Sequence, residues 1–109
     1  MEANLKIIRL VEGLLKATKD GRIHWEPTAS RDDFRAPLGS GMVRVGLQFD
    51  SNRFEFIVLD GKGREIESVY GIPERPELLA DLYHSARHTA LKVDDFLDHL
   101  IRDVEAKTT

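Results

Sequence analysis

Apolar residues recur at helical spacing near both ends of the chain and alternate with polar residues in between. Residues 5–19 carry two adjoining apolar stripes at i, i+3 and i+4 spacing, which predicts an amphipathic helix with a wide apolar face. Alternation over residues 43–69 predicts three strands joined by tight turns. Helical spacing returns near Pro76, and Asp94 is placed to cap a second helix. The apolar positions of that second helix are Leu97, Leu100, Ile101 and Val104.

Two further strands are predicted between the first helix and the alternating region. Residues 23–25 form a short strand that ends before Pro27, because proline has no N–H to continue a ladder. Alternation over residues 34–38 predicts an edge strand. The whole pattern predicts one two-layer α+β domain over residues 1–109. It consists of an N-terminal helix, an antiparallel β-meander of four to five strands and a C-terminal helix pair.

The two turns of the meander set its predicted register. We take Ser51 and Asn52 as a two-residue loop and place Gly63 in the left-handed position of a three-residue loop, beside a bulge. The apolar side chains then meet on one face, and a slip by one residue would move them all to the other. The predicted pairs are Phe49–Phe54, Leu47–Phe56, Val45–Val58, Val58–Ile66 and Phe54–Tyr70.

The same register predicts an apolar cluster on the opposite, outer face of the sheet. Ile57, Leu59 and Val69 fall together there, although one layer of helices needs only the inner face. An apolar patch bordered by charge commonly marks a partner surface, and Gly46 would let a partner approach the backbone. The alternative is that residues 27–41, or one helix, cover the patch. The predicted partner-binding residues are Arg44, Gly46, Ile57, Leu59 and Val69.

Composition narrows the class of protein. The 109 residues have a formal net charge of −3 and include no cysteine, so disulfides, iron–sulfur clusters and thiolate zinc sites are excluded. A slightly acidic chain is unlike a dedicated nucleic-acid binder. The sequence offers no leader and no apolar segment of the length that a membrane helix needs. We therefore expect a cytoplasmic protein that does not contact a membrane.

Candidate catalytic chemistry is sparse. His84 and His88 are four residues apart and Asp81 extends the same helical side, which suggests a small metal-dependent hydrolase. The alternative, which we favour, is a solvated helix face, because the His-Glu-x-x-His pattern is missing. No Gly-x-Ser-x-Gly elbow occurs, and the paired aspartates suit turns and caps. We predict no catalytic residue, no metal and no cofactor.

A second alternative is nucleic-acid binding through the first helix. Five basic residues give that helix a basic side, and His24 with Trp25 would add a stacking surface. The same residues also fit a solvated helix face with Trp25 anchored in the core, so a nucleic-acid partner is not expected. The basic residues are Lys6, Arg9, Lys16, Lys19 and Arg22.

Three segments resemble a pattern found in small bacterial proteins without an established activity. Residues 14–25 carry Leu-Leu-x-Ala-Thr-x-x-Gly-x-Ile-x-Trp, and the other two segments are residues 60–66 and 79–94. The resemblance implies a helix, sheet, helix order and a bacterial or phage-related origin. It supplies no catalytic residue, cofactor or substrate.

The sequence thus favours a non-enzymatic protein-interaction module of the adaptor, immunity-protein or antitoxin kind. It would act through the outer sheet face on a protein partner or on a second copy in a homodimer. Substituting Leu59 with Glu is expected to weaken that contact without unfolding the domain.

Overall fold

The computed structural model describes residues 2–29, 32–48 and 50–108 and arranges them as three helices and one sheet. A helix comes first, a five-stranded antiparallel sheet follows, and two helices end the chain, which confirms the predicted α+β order. The elements are α1 (Glu2–Lys19), β1 (Glu26–Pro27), β2 (Asp33–Leu38), β3 (Gly41–Gln48), β4 (Arg53–Asp60), β5 (Glu65–Val69), α2 (Leu78–Ala90) and α3 (Val93–Thr108).

The five strands pair in chain order, from β1 at one edge to β5 at the other. The predicted strand at residues 23–25 is wrong, because β1 lies just after it and includes Pro27, which pairs with Phe34. Proline is tolerated there since an edge strand leaves one row of its backbone groups unpaired. Trp25 instead turns toward α1, where its Nε1 donates to Thr18 Oγ1 at 2.8 Å.

The β3–β4 ladder differs from the predicted register by two residues. Leu47 pairs with Phe54 and Val45 pairs with Phe56, while the predicted partner Phe49 lies outside the described residues. The ladder ends at the pair Gln48–Arg53, so the predicted two-residue loop is wrong. A shift by two preserves the face of every side chain, which is why the predicted inner and outer faces of these strands still hold.

The β4–β5 ladder differs by one residue, and here the faces change. Ile66 is an extra residue on β5, because Leu59 pairs with Glu65 while Val58 pairs with Glu67. The predicted pairs Val58–Ile66 and Phe54–Tyr70 are therefore wrong, since a bulge inserts one residue and inverts the strand beyond it. Gly63 does take the predicted left-handed conformation, with φ +83°.

One face of the sheet forms the core together with α1 and α2. α2 lies on the sheet, and the Tyr83 ring is tilted against Phe34 and Phe54 at centroid distances of 5.8 and 5.3 Å. α1 packs against α2 and contributes Val11 and Leu14. The other buried members are Trp25, Phe34, Ala36, Val43, Val45, Phe56, Ile72, Leu78, Leu79, Leu82, Tyr83 and Ala86.

α3 projects away from this body. Of the described elements it contacts α2 alone, and none of its residues is buried. The molecule measures 60 × 28 × 26 Å, and its radius of gyration of 16.0 Å exceeds the value of about 13 Å expected for a compact domain of this length. Among the described helices, none combines the length and the apolar character needed to span a bilayer.

Candidate protein-interaction surfaces

The outer sheet face holds four of the five predicted partner-binding residues. Arg44 and Ile57 are directly paired across β3 and β4, Gly46 pairs with Glu55, and Leu59 pairs with Met42. The prediction that Val69 lies on the outer face is wrong, because the bulge at Ile66 turns its side chain to the inner face. It pairs there with Phe56 and packs against the core.

The centre of the outer face is closed by its own side chains. Ile57 is only 7% exposed although it lies outside the core cluster, and Leu59 is half-buried. The Arg44 guanidinium bonds to the Asp33 carboxylate through both Nε and Nη2, and the Nε–Oδ2 distance is 3.0 Å. This ion pair and the neighbouring strand residues leave little open apolar area at the predicted patch.

Gly46 serves the ion pair on this face. A Cβ built at residue 46 would lie 2.8 Å from Asp33 Oδ1, so the space above the glycine is already filled by the carboxylate. Thr28 Oγ1 donates to Asp33 Oδ2 at 3.1 Å and holds that carboxylate from the other side. Gly46 was predicted to let a partner approach the backbone, but the Asp33 carboxylate already occupies the space above this glycine.

Near β5, side chains at the edge of the outer face also interact with one another. The guanidinium carbon of Arg53 lies 4.9 Å from the centroid of the Tyr70 ring. A hydrogen bond with the Glu55 carboxylate raises the pKa of Tyr70, because the negative charge opposes loss of the phenol proton. The outer face thus has a small apolar centre surrounded by internally paired polar side chains.

Exposed apolar side chains are concentrated on α3 instead, which holds five of the nine large ones among the described residues. Its apolar residues recur at i, i+3, i+4, i+7 and i+8 and form one stripe along the helix. We call this the α3 stripe. Its five exposed members have exposures between 43% and 61%, and Val93 begins the stripe at the junction with α2. The exposed members are Phe96, Leu97, Leu100, Ile101 and Val104.

A left-handed residue directs α3 away from the body. Lys92 lies between α2 and α3 with φ +51°, a conformation that side-chain-bearing residues rarely adopt. The Lys92 N–H donates to the carbonyl of Thr89 at 3.2 Å, which ends α2, and the Phe96 N–H donates to the carbonyl of Lys92 at 3.1 Å, which begins α3. His88 Nε2 lies 3.1 Å from Asp94 Oδ1 across the junction.

The residues of the alternative functions do not assemble a site. His84 and His88 line an open groove of about 390 Å³ with Lys19 and Asp94, and His88 pairs with Asp94. Within the part of the chain that the structure describes, no three His, Cys, Asp or Glu side chains are grouped as metal ligands. Trp25 is buried against Thr18 and offers no stacking surface, although the five basic residues near α1 are exposed.

Sequence reasoning predicted the apolar positions of α3 but missed their exposure. Periodicity shows that a helix has an apolar side, and both α2 and α3 satisfy that pattern. The available signal was charge. Acidic residues border the α3 stripe closely, whereas the core-facing side of α2 is formed mainly by Leu, Tyr and Ala.

Fold and surfaces together define a small α+β domain that carries an exposed amphipathic helical arm. No protein-family model matches the chain, and neither a curated protein nor a solved structure matches it at a significant level. Its function must therefore be inferred from its own surfaces.

Proposed function

We propose that this protein is a non-enzymatic protein-interaction module, of the adaptor, immunity-protein or antitoxin kind, that acts in the cytoplasm and docks through α3. One observation carries the proposal: the apolar side of a 16-residue helix lies open to solvent. Soluble monomers rarely expose contiguous apolar patches beyond a few hundred Å², and larger ones mark contact sites. An amphipathic helix that lays its apolar side into a groove is a recurrent mode of protein recognition.

The free energy available from the α3 stripe supports this role. Full burial of a Val, Leu, Ile or Phe side chain stabilises by about 1.5–3 kcal/mol. Because each exposed member of the stripe is already about half covered, a partner would gain roughly 1 kcal/mol from each. Association itself costs several kcal/mol, so the stripe supplies a specific contact of modest strength that polar neighbours must reinforce.

The outer sheet face is retained as a second candidate surface. Leu59 and its cross-strand neighbour Met42 are only half-buried there. The Arg44–Asp33 ion pair and the burial of Ile57 leave it less open apolar area than α3 offers. The variant Leu59→Glu tests whether a partner binds this face or α3.

The test compares two glutamates introduced on opposite sides of α3. Leu100→Glu places a charge in the stripe, whereas Ala106→Glu places the same side chain on the far side of the helix. Tagged wild-type and variant proteins are used to capture partners from the organism that encodes the chain, and the mass of each complex is measured. We expect Leu100→Glu to lose the partner and Ala106→Glu to retain it, with both variants keeping their helix content by circular dichroism.

Two results would count against docking through α3. Equal recovery with Leu100→Glu and Ala106→Glu would show that the stripe is not used. Loss of the partner with Leu59→Glu alone would move the contact to the sheet face around Arg44, Gly46 and Ile57.

A further inference from the structure

α3 carries the entire net charge of the protein. Its 16 residues include five acidic and two basic side chains, a net charge of −3 with histidine neutral. The whole chain contains 19 acidic and 16 basic residues, also a net charge of −3, so the rest of the molecule is balanced at 14 of each. The exposed arm is thus the acidic part of an otherwise neutral protein.

Three of the five acidic residues of α3 border the apolar stripe. At 3.6 residues per turn, Asp94 and Glu105 border one side of the stripe and Asp103 borders the other. Asp95 and Arg102 lie on the side of the helix opposite the stripe, and Asp98 lies between Glu105 and that side. Lys107, in the last turn, lies on the same border as Asp103 and is the one basic residue next to the stripe among the described residues of α3.

These acidic borders disfavour pairing between two copies of α3. In a parallel pair the aspartate-rich first turns of both helices would lie side by side. In an antiparallel pair the two-fold axis places the same border of both helices side by side. Asp94 and Glu105 of one copy would then lie next to Glu105 and Asp94 of the other. Like charges brought together at a contact cost free energy, so neither orientation suits the charges.

The same charges disfavour an anionic surface as the occupant. Amphipathic helices that lie on membranes carry Lys and Arg on their polar side, and anionic lipid attracts basic segments. Nucleic acid likewise needs basic residues to neutralise its phosphates. An apolar stripe with carboxylates on both borders is instead complementary to an apolar surface bordered by ammonium or guanidinium groups.

We infer that α3 docks onto a different protein whose apolar groove or helix is bordered by Lys and Arg. This inference rests on the proposed function and adds the chemistry of the partner. Burial of the stripe supplies the attraction, and the bordering carboxylates select a basic partner and accelerate its encounter with α3. A second copy of the chain and an acidic or neutral partner are the outcomes that the charges reject.

The experiment uses the purified full chain and two synthetic helical peptides as probes. Both peptides carry the same leucine stripe, which is bordered by lysines in one and by glutamates in the other. Fluorescence anisotropy should show that the lysine peptide binds at least about tenfold more tightly than the glutamate peptide, a difference that should shrink at high salt.

A matched pair of charge reversals tests where the lysine peptide binds. Asp103→Lys changes a border residue, and Asp95→Lys makes the same change on the far side of α3. We expect Asp103→Lys to weaken binding about fivefold to tenfold and Asp95→Lys to weaken it less than about twofold, since attraction is replaced by repulsion only at the contact. Leu100→Glu should abolish binding.

Three results would overturn the inference. The two peptides could bind equally, the two charge reversals could weaken binding equally, or sedimentation equilibrium could show a dimer that Leu100→Glu dissociates. The last result would identify a second copy as the occupant. In each case loss of the cellular complex with Leu100→Glu would still support docking through α3, whereas unchanged capture with that variant would remove the proposed function itself.

Discussion

α2 and α3 follow each other directly in the chain, have similar apolar patterns and end in opposite environments. Leu78, Leu82 and Ala86 of α2 are fully buried, whereas no residue of α3 is buried. The two helices are separated only by Leu91 and Lys92, and the left-handed conformation of Lys92 turns the second away. An amphipathic pattern thus shows that one face of a helix is apolar. It does not show whether that face is buried within the same chain or against a partner.

The difference lies in what each helix finds within reach. α2 lies across the sheet, where Tyr83 meets the rings of Phe34 and Phe54, and α1 covers part of its remaining surface. α1 and α2 thus share the core with the sheet. Of the described elements α3 contacts α2 alone, and its apolar stripe stays outside that core.

The largest expected difference between α2 and α3 comes from truncating one leucine to alanine in each helix. Leu82→Ala removes a side chain that is 0% exposed, so we expect a loss of about 2–5 kcal/mol in the free energy of unfolding. Leu100→Ala removes an exposed side chain, so the purified protein should change by less than about 0.5 kcal/mol. Urea denaturation followed by circular dichroism measures both values.

The slope of the denaturation curve serves as the control for this experiment. It should be the same in both variants, because it reflects the surface exposed on unfolding. A loss of 2 kcal/mol or more from Leu100→Ala would show that α3 packs against the body in solution, and it would remove the basis for an open docking helix.

Much of the fold could be predicted from the sequence because it depends on local periodicity. Alternation over β3 and β4 was enough to separate inner from outer residues, even though the turn was misjudged by two positions. A bulge was predicted beside Gly63, but its position at Ile66, inside β5, was missed, because the predicted pairs beyond the turn left out the extra residue. The error at Val69 followed from that bulge alone.

The candidate site was less predictable because it depends on tertiary contacts. Gly46 suggested room for a partner, yet the room is taken by Asp33, thirteen residues away in the chain. The exposure of α3 depends on one backbone angle at Lys92 and on how much apolar surface α1 already covers. Neither quantity can be obtained from residue spacing.

The junction between the two helices allows a finer test of the comparison. Lys92 has φ +51°, so Lys92→Gly should stabilise the folded protein by roughly 0.5–1 kcal/mol, because glycine adopts this conformation without steric cost. Lys92→Ala is the matched control, since it removes the same side chain and keeps the strain. Thermal unfolding should place glycine above alanine, and the reverse order would show that the left-handed junction is absent in solution.

The smallest expected effect concerns how α2 is attached at its start. Glu77, the residue before α2, accepts a hydrogen bond from Arg75 Nε at 2.9 Å. The same guanidinium also forms an ion pair with Glu12 of α1. At the start of α3 the corresponding side-chain contact is between Asp94 and His88. The hydrogen bond from Arg75 lowers the pKa of Glu77 below its ordinary value of 4.5. Since this pKa is depressed on folding, the stabilisation is fully present above the pKa of the unfolded chain and is lost as the pH falls through the lower folded value.

This attachment can be followed by NMR titration of the Glu77 carboxyl group. Its midpoint should lie below 4.5 in the wild type and return toward 4.5 in Arg75→Gln, because the variant removes the guanidinium that favours the charged form. The stability difference between the two proteins should be largest near neutral pH and should vanish once Glu77 is protonated in both states. A midpoint that Arg75→Gln leaves unchanged would mean that the start of α2 is held by apolar packing alone, and that its contrast with α3 owes nothing to this ion pair.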